Sequence, residues 1–449
     1  MTEEQPQNDP DKDKNPPFSV PFSFWKGGKD ILEKTNWEKS WESAIETTQE
    51  EISGALNAQR VSFLLGAGCS SSAIPTMKKM VEEFKKTIHS RTPDPDTVVL
   101  QRNLGIDLQN TENLESLLGR LYNAQKALGD LSNNQESQDL KTLKDAVKKT
   151  IEHIRKLILD FFLQKNSNTK KYNFNKAIEL YQQFYQKLIF RDRALPRPWI
   201  FTTNYDLFNE QAMDRLGIPY CNGFSGVIER SFNPSVFRYS LGQQLDISSR
   251  HWEPVDHFVY LCKLHGSISW QESQENTSLF RIKEIQPREG DIFQEGDTSA
   301  DPAPVLIYPT PMKQSASLGS PYVDLFREFH KQIVCEQSVL FTIGYSFGDE
   351  HINNIIFQAL TIPNFRLIIL IDKDKFESGV VKTLFGLNDP RIWIISDNDT
   401  QTNQGTGKHE EQKACYFETF IKHFMPPEPP KDSDKAIRQV IKECLKEKK

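Results

Sequence analysis

The chain of 449 residues has no strong excess of charge and no long apolar run. Its formal net charge of −6 gives no general attraction to nucleic acid or to acidic membranes. No apolar run approaches the ~20 residues that cross a bilayer, and residues 1–30 lack the apolar core of a signal peptide. We therefore expect a soluble, cytoplasmic protein that uses no membrane and makes no direct nucleic-acid contact.

Closely spaced cysteines are also missing. The six cysteines are far apart along the chain and include no C-x-x-C pair. This spacing excludes a zinc ribbon or finger, so we expect no zinc site. A disulfide framework is not expected in a chain of this length, and the thiols are predicted to be reduced.

Apolar residues make up 37% of the chain, which is less than usual for a globular protein. The shortfall indicates a disordered arm over residues 1–27, although this arm carries an aromatic cluster that we expect to dock on a neighbouring surface. Residues 28–425 are predicted to form one nucleotide-binding catalytic domain, with a helical insertion over about 90–190. A proline-rich spacer and an amphipathic helix follow over residues 426–449.

Short runs of β-branched and aromatic residues predict the strands of the core. The main runs are Val61–Leu65, Trp199–Phe201, Tyr260–Lys263, Val305–Tyr308, Val339–Ile343, Arg366–Ile371 and Arg391–Ile395. Helical patterns lie between them, over about Pro75–His89, Asp206–Leu216, Tyr322–Glu336 and Asp349–Leu360. This alternation predicts an α/β fold with a Rossmann-like, doubly wound, mostly parallel sheet.

One helix of the insertion carries an apolar stripe at helical spacing. Its members are Leu143, Val147, Ile151, Ile154 and Ile158, flanked by lysines and glutamates. The pattern favours a helix packed on the core over a membrane or partner-binding helix.

Four segments of small and polar residues are the main functional signal: Gly66–Ser70, Thr202–Asp206, Lys263–Ser267 and Gly344–Asp349. At least three of them follow a run that is typical of a buried strand. Because the carboxyl ends of strands line the ligand crevice of an open α/β sheet, these segments predict a nucleotide-sized pocket.

The first segment has two interpretations. Gly66, Ala67 and Gly68 follow a strand and precede a helix, which is the layout of a phosphate-binding turn. Ser71 stands where the full G-x-G-x-x-G pattern has its third glycine. A tight structural turn would need the same glycines, and the sequence favours neither alternative.

The other segments offer groups for chemistry. Asp206 is explained equally well as a helix cap or as a ribose ligand, whereas capping leaves Asn204 without a role. His265 is favoured as a general base because it follows a strand and titrates near neutral pH. His351 competes with it, but its position just after Asp349 indicates the first turn of a capped helix.

The ordered set GAGCS, TTNYD, KLHGS and GYSFGD resembles the NAD-binding core of the sirtuin family, over roughly residues 60–375. The resemblance implies that Asn204 and His265 are the catalytic pair. It also implies a set of NAD⁺-binding residues: Gly66, Ala67, Gly68, Ser70, Thr203, Asp206, Gly344, Ser346 and Asp372.

The chain departs from protein-deacylating sirtuins because it lacks their four-cysteine zinc module. Its helical insertion and its TTNYD and GYSFGDEHIN motifs are similar instead to those of bacterial sirtuin-like proteins of antiphage defence, which hydrolyse NAD⁺. This resemblance implies an NAD⁺ glycohydrolase that forms a homo-oligomer and assembles with a HerA-type ATPase. A protein deacylase, an ADP-ribosyltransferase and a scaffold subunit that senses NAD⁺ or ADP-ribose remain the alternatives.

Overall fold

The computed structural model describes fourteen stretches of the chain, in which strands and helices alternate. They are residues 22–32, 41–75, 77–89, 95–130, 137–162, 173–192, 194–244, 252–255, 257–272, 282–285, 304–306, 321–377, 379–397 and 413–427.

The strands in these stretches are short, as expected for a core of alternating elements. They are β1 Phe22–Lys26, β2 Lys29–Asp30, β3 Arg60–Leu65, β4 Trp199–Thr202, β5 Tyr220–Cys221, β6 Phe224–Ser225, β7 Arg230–Phe232, β8 Gly242–Gln244, β9 Trp252–Pro254, β10 Val259–Lys263, β11 Gly266–Glu272, β12 Ile282–Glu284, β13 Pro304–Leu306, β14 Ser338–Ile343, β15 Arg366–Ile371 and β16 Ile392–Asp397.

The helices include four in the predicted insertion. They are α1 Trp41–Leu56, α2 Met77–His89, α3 Pro95–Leu104, α4 Leu114–Asp130, α5 Gln138–Phe162, α6 Phe174–Leu188, α7 Phe208–Leu216, α8 Tyr322–Ile333, α9 Glu350–Leu360, α10 Lys373–Phe376, α11 Gly379–Gly386 and α12 Phe417–Thr419. A π-helix over Phe420–Phe424 continues α12.

The central sheet confirms the predicted α/β class. Its described strands run in the order β2-β1-β16-β15-β14-β3-β4-β10-β5. The six strands from β16 to β10 pair in parallel. Taken in chain order from β3, they have the doubly wound order 3-2-1-4-5-6 of dinucleotide-binding sheets.

The chain passes from the carboxyl end of β10 directly into β11, which belongs to a second, smaller sheet. It has the order β13-β11-β12-β7-β6 among the described strands. Gly266 starts β11 directly after the turn that carries His265, with a φ of +92° that favours glycine. Apart from the run at β13, the sequence did not predict this sheet, since β6, β7 and β12 have only two or three residues each, too few for a periodic pattern.

The boundary of the N-terminal arm at residue 27 is wrong. Phe22–Lys26 form strand β1, which pairs antiparallel with β16. Phe22 and Phe24 are buried, with Phe22 beside Phe424 and Phe24 beside Trp393. Phe22 and Phe24 of the aromatic cluster therefore dock on this chain's own sheet, where the apolar area that they bury stabilises the strand. Residues 1–21 lie outside the described residues.

The insertion packs on the core, as its apolar stripe predicts. All five stripe residues of α5 are buried, and α5 contacts α2, α3 and α4. Helix α6 packs on α7 and on the segment that contains the π-helix. No helix in the described stretches is long and apolar enough to span a membrane.

Several boundaries move by a few residues. Helix α2 begins at Met77 rather than at Pro75, and α7 begins at Phe208 rather than at Asp206. Strand β13 falls within the predicted run Val305–Tyr308, whose remaining residues are outside the described stretches. The amphipathic stripe predicted after residue 430 is also outside them.

Candidate active site

The four polar segments meet at one edge of the central sheet. Segments Gly66–Ser70, Thr202–Asp206 and Gly344–Asp349 follow β3, β4 and β14, and His265 follows β10. The chain winds from β3 outward to β10 and then returns to β14 on the other side of β3. This reversal places the switch point of the sheet at β3 and β14, which is where the ligand crevice of such sheets lies.

The two glycine turns of this crevice pack directly against each other. A Cβ atom at Gly66 would lie 2.3 Å from the carbonyl oxygen of Gly344, and one at Gly344 would lie 2.6 Å from the Cys69 nitrogen. Gly344 also has a φ of +63°. The glycines are therefore required by the close approach of two backbones.

The same packing uses backbone groups that a phosphate cradle would need. Gly66 N–H donates to the Ile343 carbonyl at 2.9 Å, and Gly68 N–H donates to the Gly344 carbonyl at 3.0 Å. Cys69 N–H donates to the Gly66 carbonyl at 3.0 Å. Of the two interpretations of this turn, the geometry supports the tight structural turn.

The side chain of Asn204 is held in one orientation. Its Nδ2 group donates to the Gly66 carbonyl at 3.0 Å and to Ser70 Oγ at 3.2 Å. Because a carbonyl can only accept, the nitrogen of the amide must face Gly66. Asn204 Oδ1 makes no hydrogen bond within the described residues, so it is the acceptor that this amide can offer to a ligand.

Ser70 lies beneath Asn204 and is almost fully buried. Its hydroxyl donates to Asp206 Oδ2 at 2.7 Å and lies 3.1 Å from the Tyr181 hydroxyl, besides accepting from Asn204. A hydroxyl has one proton and two lone pairs, so these three bonds saturate it. In this conformation Ser70 orients Asn204 and does not present a group to NAD⁺.

Asp206 belongs to the same buried layer. Its Oδ1 accepts from Phe208 N–H at 3.2 Å at the start of α7, although the N-cap position of this helix is Leu207 rather than Asp206. Burial raises the pKa of its carboxyl group, and the nearby Lys263 ammonium opposes this rise. Lys263 is itself buried, donating to the Asp206 carbonyl, to Glu210 at 2.8 Å and to Ser267 at 2.9 Å.

His265 pairs with a carboxylate from a distant part of the sheet. Its Nε2 lies 2.8 Å from Asp349 Oδ2, and both side chains are buried. Asp349 Oδ1 caps α9, accepting from His351 N–H at 3.0 Å. Strands β3 and β4 separate β14 from β10, so the loop that carries Asp349 crosses over the ends of both strands to reach His265.

The remaining predicted residues lie on the outside of this layer or away from it. Ala67, Gly68 and Ser346 are exposed, and Thr203 is partly exposed. Asp372 follows β15, where it caps α10 and pairs with Lys413 at 2.8 Å. The Lys413 ammonium lowers the pKa of Asp372.

Among the described residues, one group of possible metal ligands lies close together, within 4.8 Å: Asp372, Asp397 and Cys415. Lys413 pairs with Asp372 of this group at 2.8 Å.

Sequence analysis missed three residues of this site. Asp349 was identified only as a helix cap, because nothing in a linear pattern shows where its second oxygen points. Tyr181 lies in the insertion, where an aromatic residue in an apolar stripe is usually core. Lys263 lies two residues before His265. The one sequence feature that could have identified it is the position of a lysine at the end of a buried strand.

A family model described as a SIR2-like domain matches residues 198–382. This region includes Asn204, His265 and Asp349, whereas the Gly66 turn and the insertion lie before it. No curated protein matches the chain.

Solved structures of a Sir2 homologue in complex with ADP-ribose are similar over much of the chain. Three of them, variants with a serine, a histidine or a phenylalanine replaced, each have a TM-score of 0.33. Their sequence identities are 12%, 13% and 13%, and each alignment covers 72% of this chain and 84% of the other.

Proposed function

We propose that this protein is an NAD⁺ glycohydrolase, which cleaves NAD⁺ to ADP-ribose and nicotinamide. The observation that carries the proposal is the pair formed by Asn204 and His265 at the exits of neighbouring strands. Each side chain is locked by buried partners, at the edge of the sheet where ligands bind. The match of residues 198–382 to a SIR2-like domain supports NAD⁺ as the ligand.

The reaction needs little from the site besides position and a base. The bond between the ribose C1 atom and the nicotinamide nitrogen breaks, and its electron pair leaves with neutral nicotinamide. A water oxygen then bonds to C1, and its proton must be removed. Asn204 Oδ1 accepts a hydrogen bond from this water or from a ribose hydroxyl, and His265 takes the proton.

Asp349 prepares His265 for this role. A carboxylate 2.8 Å from Nε2 stabilises the tautomer with the proton on Nε2, which makes Nδ1 the basic nitrogen. The same carboxylate stabilises the imidazolium that forms when His265 accepts a proton. Asp349 is therefore a positioning residue of the proposed reaction.

Removal of either catalytic side chain tests the proposal. We expect Asn204→Ala and His265→Ala each to lower the turnover of NAD⁺ by about 10²- to 10⁴-fold. Both variants should keep the far-ultraviolet circular dichroism of the wild type. Unchanged NAD⁺ consumption in both variants would show that these residues do not carry the chemistry.

Product analysis separates hydrolysis from its alternatives. Free ADP-ribose formed without an acyl-lysine substrate supports the glycohydrolase, whereas acyl transfer or ADP-ribosylated protein identifies a deacylase or a transferase. Tight binding with intact NAD⁺ supports either a sensing subunit or an activation requirement that has not been met.

The proposal extends to a biological role and to partners. An enzyme that destroys NAD⁺ is toxic to its own cell, so its activity must be controlled. Because the motif sequences of this chain resemble those of the antiphage sirtuin-like proteins, we assign it as a cytoplasmic effector of abortive infection that acts within an assembly. The assembly comprises further copies of this chain and a HerA-type hexameric ATPase.

A further inference from the structure

Helix α6, the last helix of the insertion, makes three hydrogen bonds to the core, of which the middle one reaches the candidate active site. At its start, Asn173 N–H donates to the Ser72 carbonyl at 3.0 Å. In its middle, the Tyr181 hydroxyl lies 3.1 Å from Ser70 Oγ. One turn later, the Tyr185 hydroxyl donates to Asn209 Oδ1 at 2.7 Å. The insertion therefore contacts the layer of side chains beneath the crevice.

The hydrogen bond between Tyr181 and Ser70 has a defined direction. Ser70 gives its only proton to the Asp206 carboxylate, at 2.7 Å. Tyr181 must then donate to Ser70, and it takes the lone pair that Asn204 does not use. Burial and the Asp206 charge raise the pKa of the Tyr181 hydroxyl well above its usual range, so it keeps the proton that it donates.

We propose that Tyr181 is a positioning residue of the active site, through which the inserted helical layer sets the orientation of Asn204. With both lone pairs and the proton of Ser70 engaged, the hydroxyl cannot rotate. Asn204 Nδ2 then has one geometry that satisfies both Ser70 and Gly66, and Oδ1 keeps its outward direction. The inference rests on the proposed function, since it concerns the residue assigned to hold the water and ribose.

The surroundings of Tyr181 make it suited to this role. Its side chain is fully buried, and its ring centroid lies 5.9 Å from that of Phe208 and 5.0 Å from that of Phe417. Phe208 begins α7, two residues after Asp206, and Phe417 belongs to the C-terminal segment. Contacts on two sides thus fix the ring, and they hold its hydroxyl at Ser70.

Removing only the hydroxyl tests the proposal. In Tyr181→Phe the ring remains, while one lone pair of the buried Ser70 loses its donor, so Ser70 and Asn204 can adopt other orientations. We expect kcat for NAD⁺ hydrolysis to fall roughly tenfold, with a much smaller change in KM, since misplacement of Asn204 affects the reacting centre more than the binding of the whole dinucleotide.

The matched control is Tyr185→Phe, one helical turn away. It also removes a buried tyrosine hydroxyl and its hydrogen bond, but its partner Asn209 has no part in the proposed chemistry. We expect Tyr185→Phe to lower the melting temperature while leaving kcat close to that of the wild type. Equal losses of kcat in the two variants would show that α6 acts on stability alone and would overturn the proposal.

A double-mutant cycle makes the test independent of general stability. In a Ser70→Ala background, Tyr181→Phe should cause no further loss of kcat, because the hydroxyl through which Tyr181 acts is gone. An equal loss with and without Ser70 would overturn the proposed route.

The two proposals fail in different ways. A wild-type protein that leaves NAD⁺ intact, both alone and together with the HerA-type ATPase, contradicts the glycohydrolase. Asn204 would then serve binding alone, and the positioning role predicts a weaker affinity of Tyr181→Phe than of Tyr185→Phe for NAD⁺, measured by calorimetry. A wild-type protein that hydrolyses NAD⁺ at the same kcat as Tyr181→Phe contradicts only the positioning role.

Discussion

At the scale of single residues, the candidate site consists of two layers. An inner layer of buried side chains, which includes Ser70 and Asp206, holds the outward groups of Asn204 and His265 in place. Residue type and position after a strand were enough to predict Asn204 and His265. They were not enough to separate ligand-facing residues from the residues behind them, because burial depends on neighbours from other parts of the chain.

Substitutions of Asp349 separate its effect on activity from its effect on stability. In Asp349→Asn, the single carbonyl oxygen continues to cap α9, since asparagine caps as well as aspartate. The Nδ2 group then faces His265 Nε2 and donates to it, which moves the ring proton to Nδ1. We expect kcat to fall by about 10²- to 10⁴-fold, measured by nicotinamide release, with little change in melting temperature.

Asp349→Ala is the matched comparison, since it removes both the cap and the contact with His265. It should lose activity and also lose about 1 kcal/mol of stability. If Asp349→Asn were fully active, the carboxylate would be only a cap, and the role assigned to it at His265 would be wrong.

At the scale of elements, the two glycine turns show what the structure adds to an ambiguous motif. The sequence of the Gly66 turn is compatible with a phosphate cradle and with a tight structural turn. The end of β14 and its loop account for the structural turn, because the carbonyl groups of Ile343 and Gly344 accept from the N–H groups of Gly66 and Gly68. The partner loop lies almost 280 residues later in the chain, beyond the reach of any local pattern.

Alanine substitutions test this loop-to-loop packing. The added methyl group of Gly66→Ala would lie 2.3 Å from the Gly344 carbonyl oxygen, so the two backbones must separate. We expect a loss of roughly 1–3 kcal/mol in the free energy of unfolding, measured by denaturant titration.

The control is Gly54→Ala in helix α1, where an added methyl group meets no atom within 4 Å. There the substitution should stabilise the protein by about 0.5–1 kcal/mol, because alanine loses less backbone entropy in a helix. A Gly66→Ala variant as stable as the wild type would contradict the requirement for glycine at this turn.

Elements differed in how well the sequence predicted them. Strands β3, β14 and β15 were found within a residue, since each is a mostly apolar run buried on both faces. Strand β1 was missed, although its aromatic residues were noticed, because a strand of five residues is stable only when a partner such as β16 pairs with it.

At the scale of the whole molecule, we propose that assembly controls the activity. The sequence after the proline-rich spacer carries an apolar stripe at helical spacing: Ala436, Ile437, Val440, Ile441 and Leu445. A single short helix cannot bury such a stripe by itself, so it needs a surface on this chain, on a second copy or on the ATPase.

Deletion of residues 431–449 tests the role of this tail. We expect the shortened chain to fold, because the C-terminal described segment already packs on α6 through Phe417 and through the 2.6 Å bond from Lys187 to the Ile421 carbonyl. We also expect it to form smaller oligomers, measured by light scattering with and without a co-produced HerA-type ATPase. An unchanged particle mass in both conditions would exclude the tail as a principal contact.

The sequence by itself determined the class of the fold, because apolar runs and helical stripes report burial locally. It also predicted that Asn204 and His265, the proposed catalytic pair, lie at one edge of the sheet, because polar residues that follow buried parallel strands emerge at the same edge. Only the tertiary structure decided which partners hold that pair. Asp349 reaches His265 across two strands, and Tyr181 reaches Ser70 from an insertion. Such contacts depend on how distant segments meet, and no linear spacing encodes them.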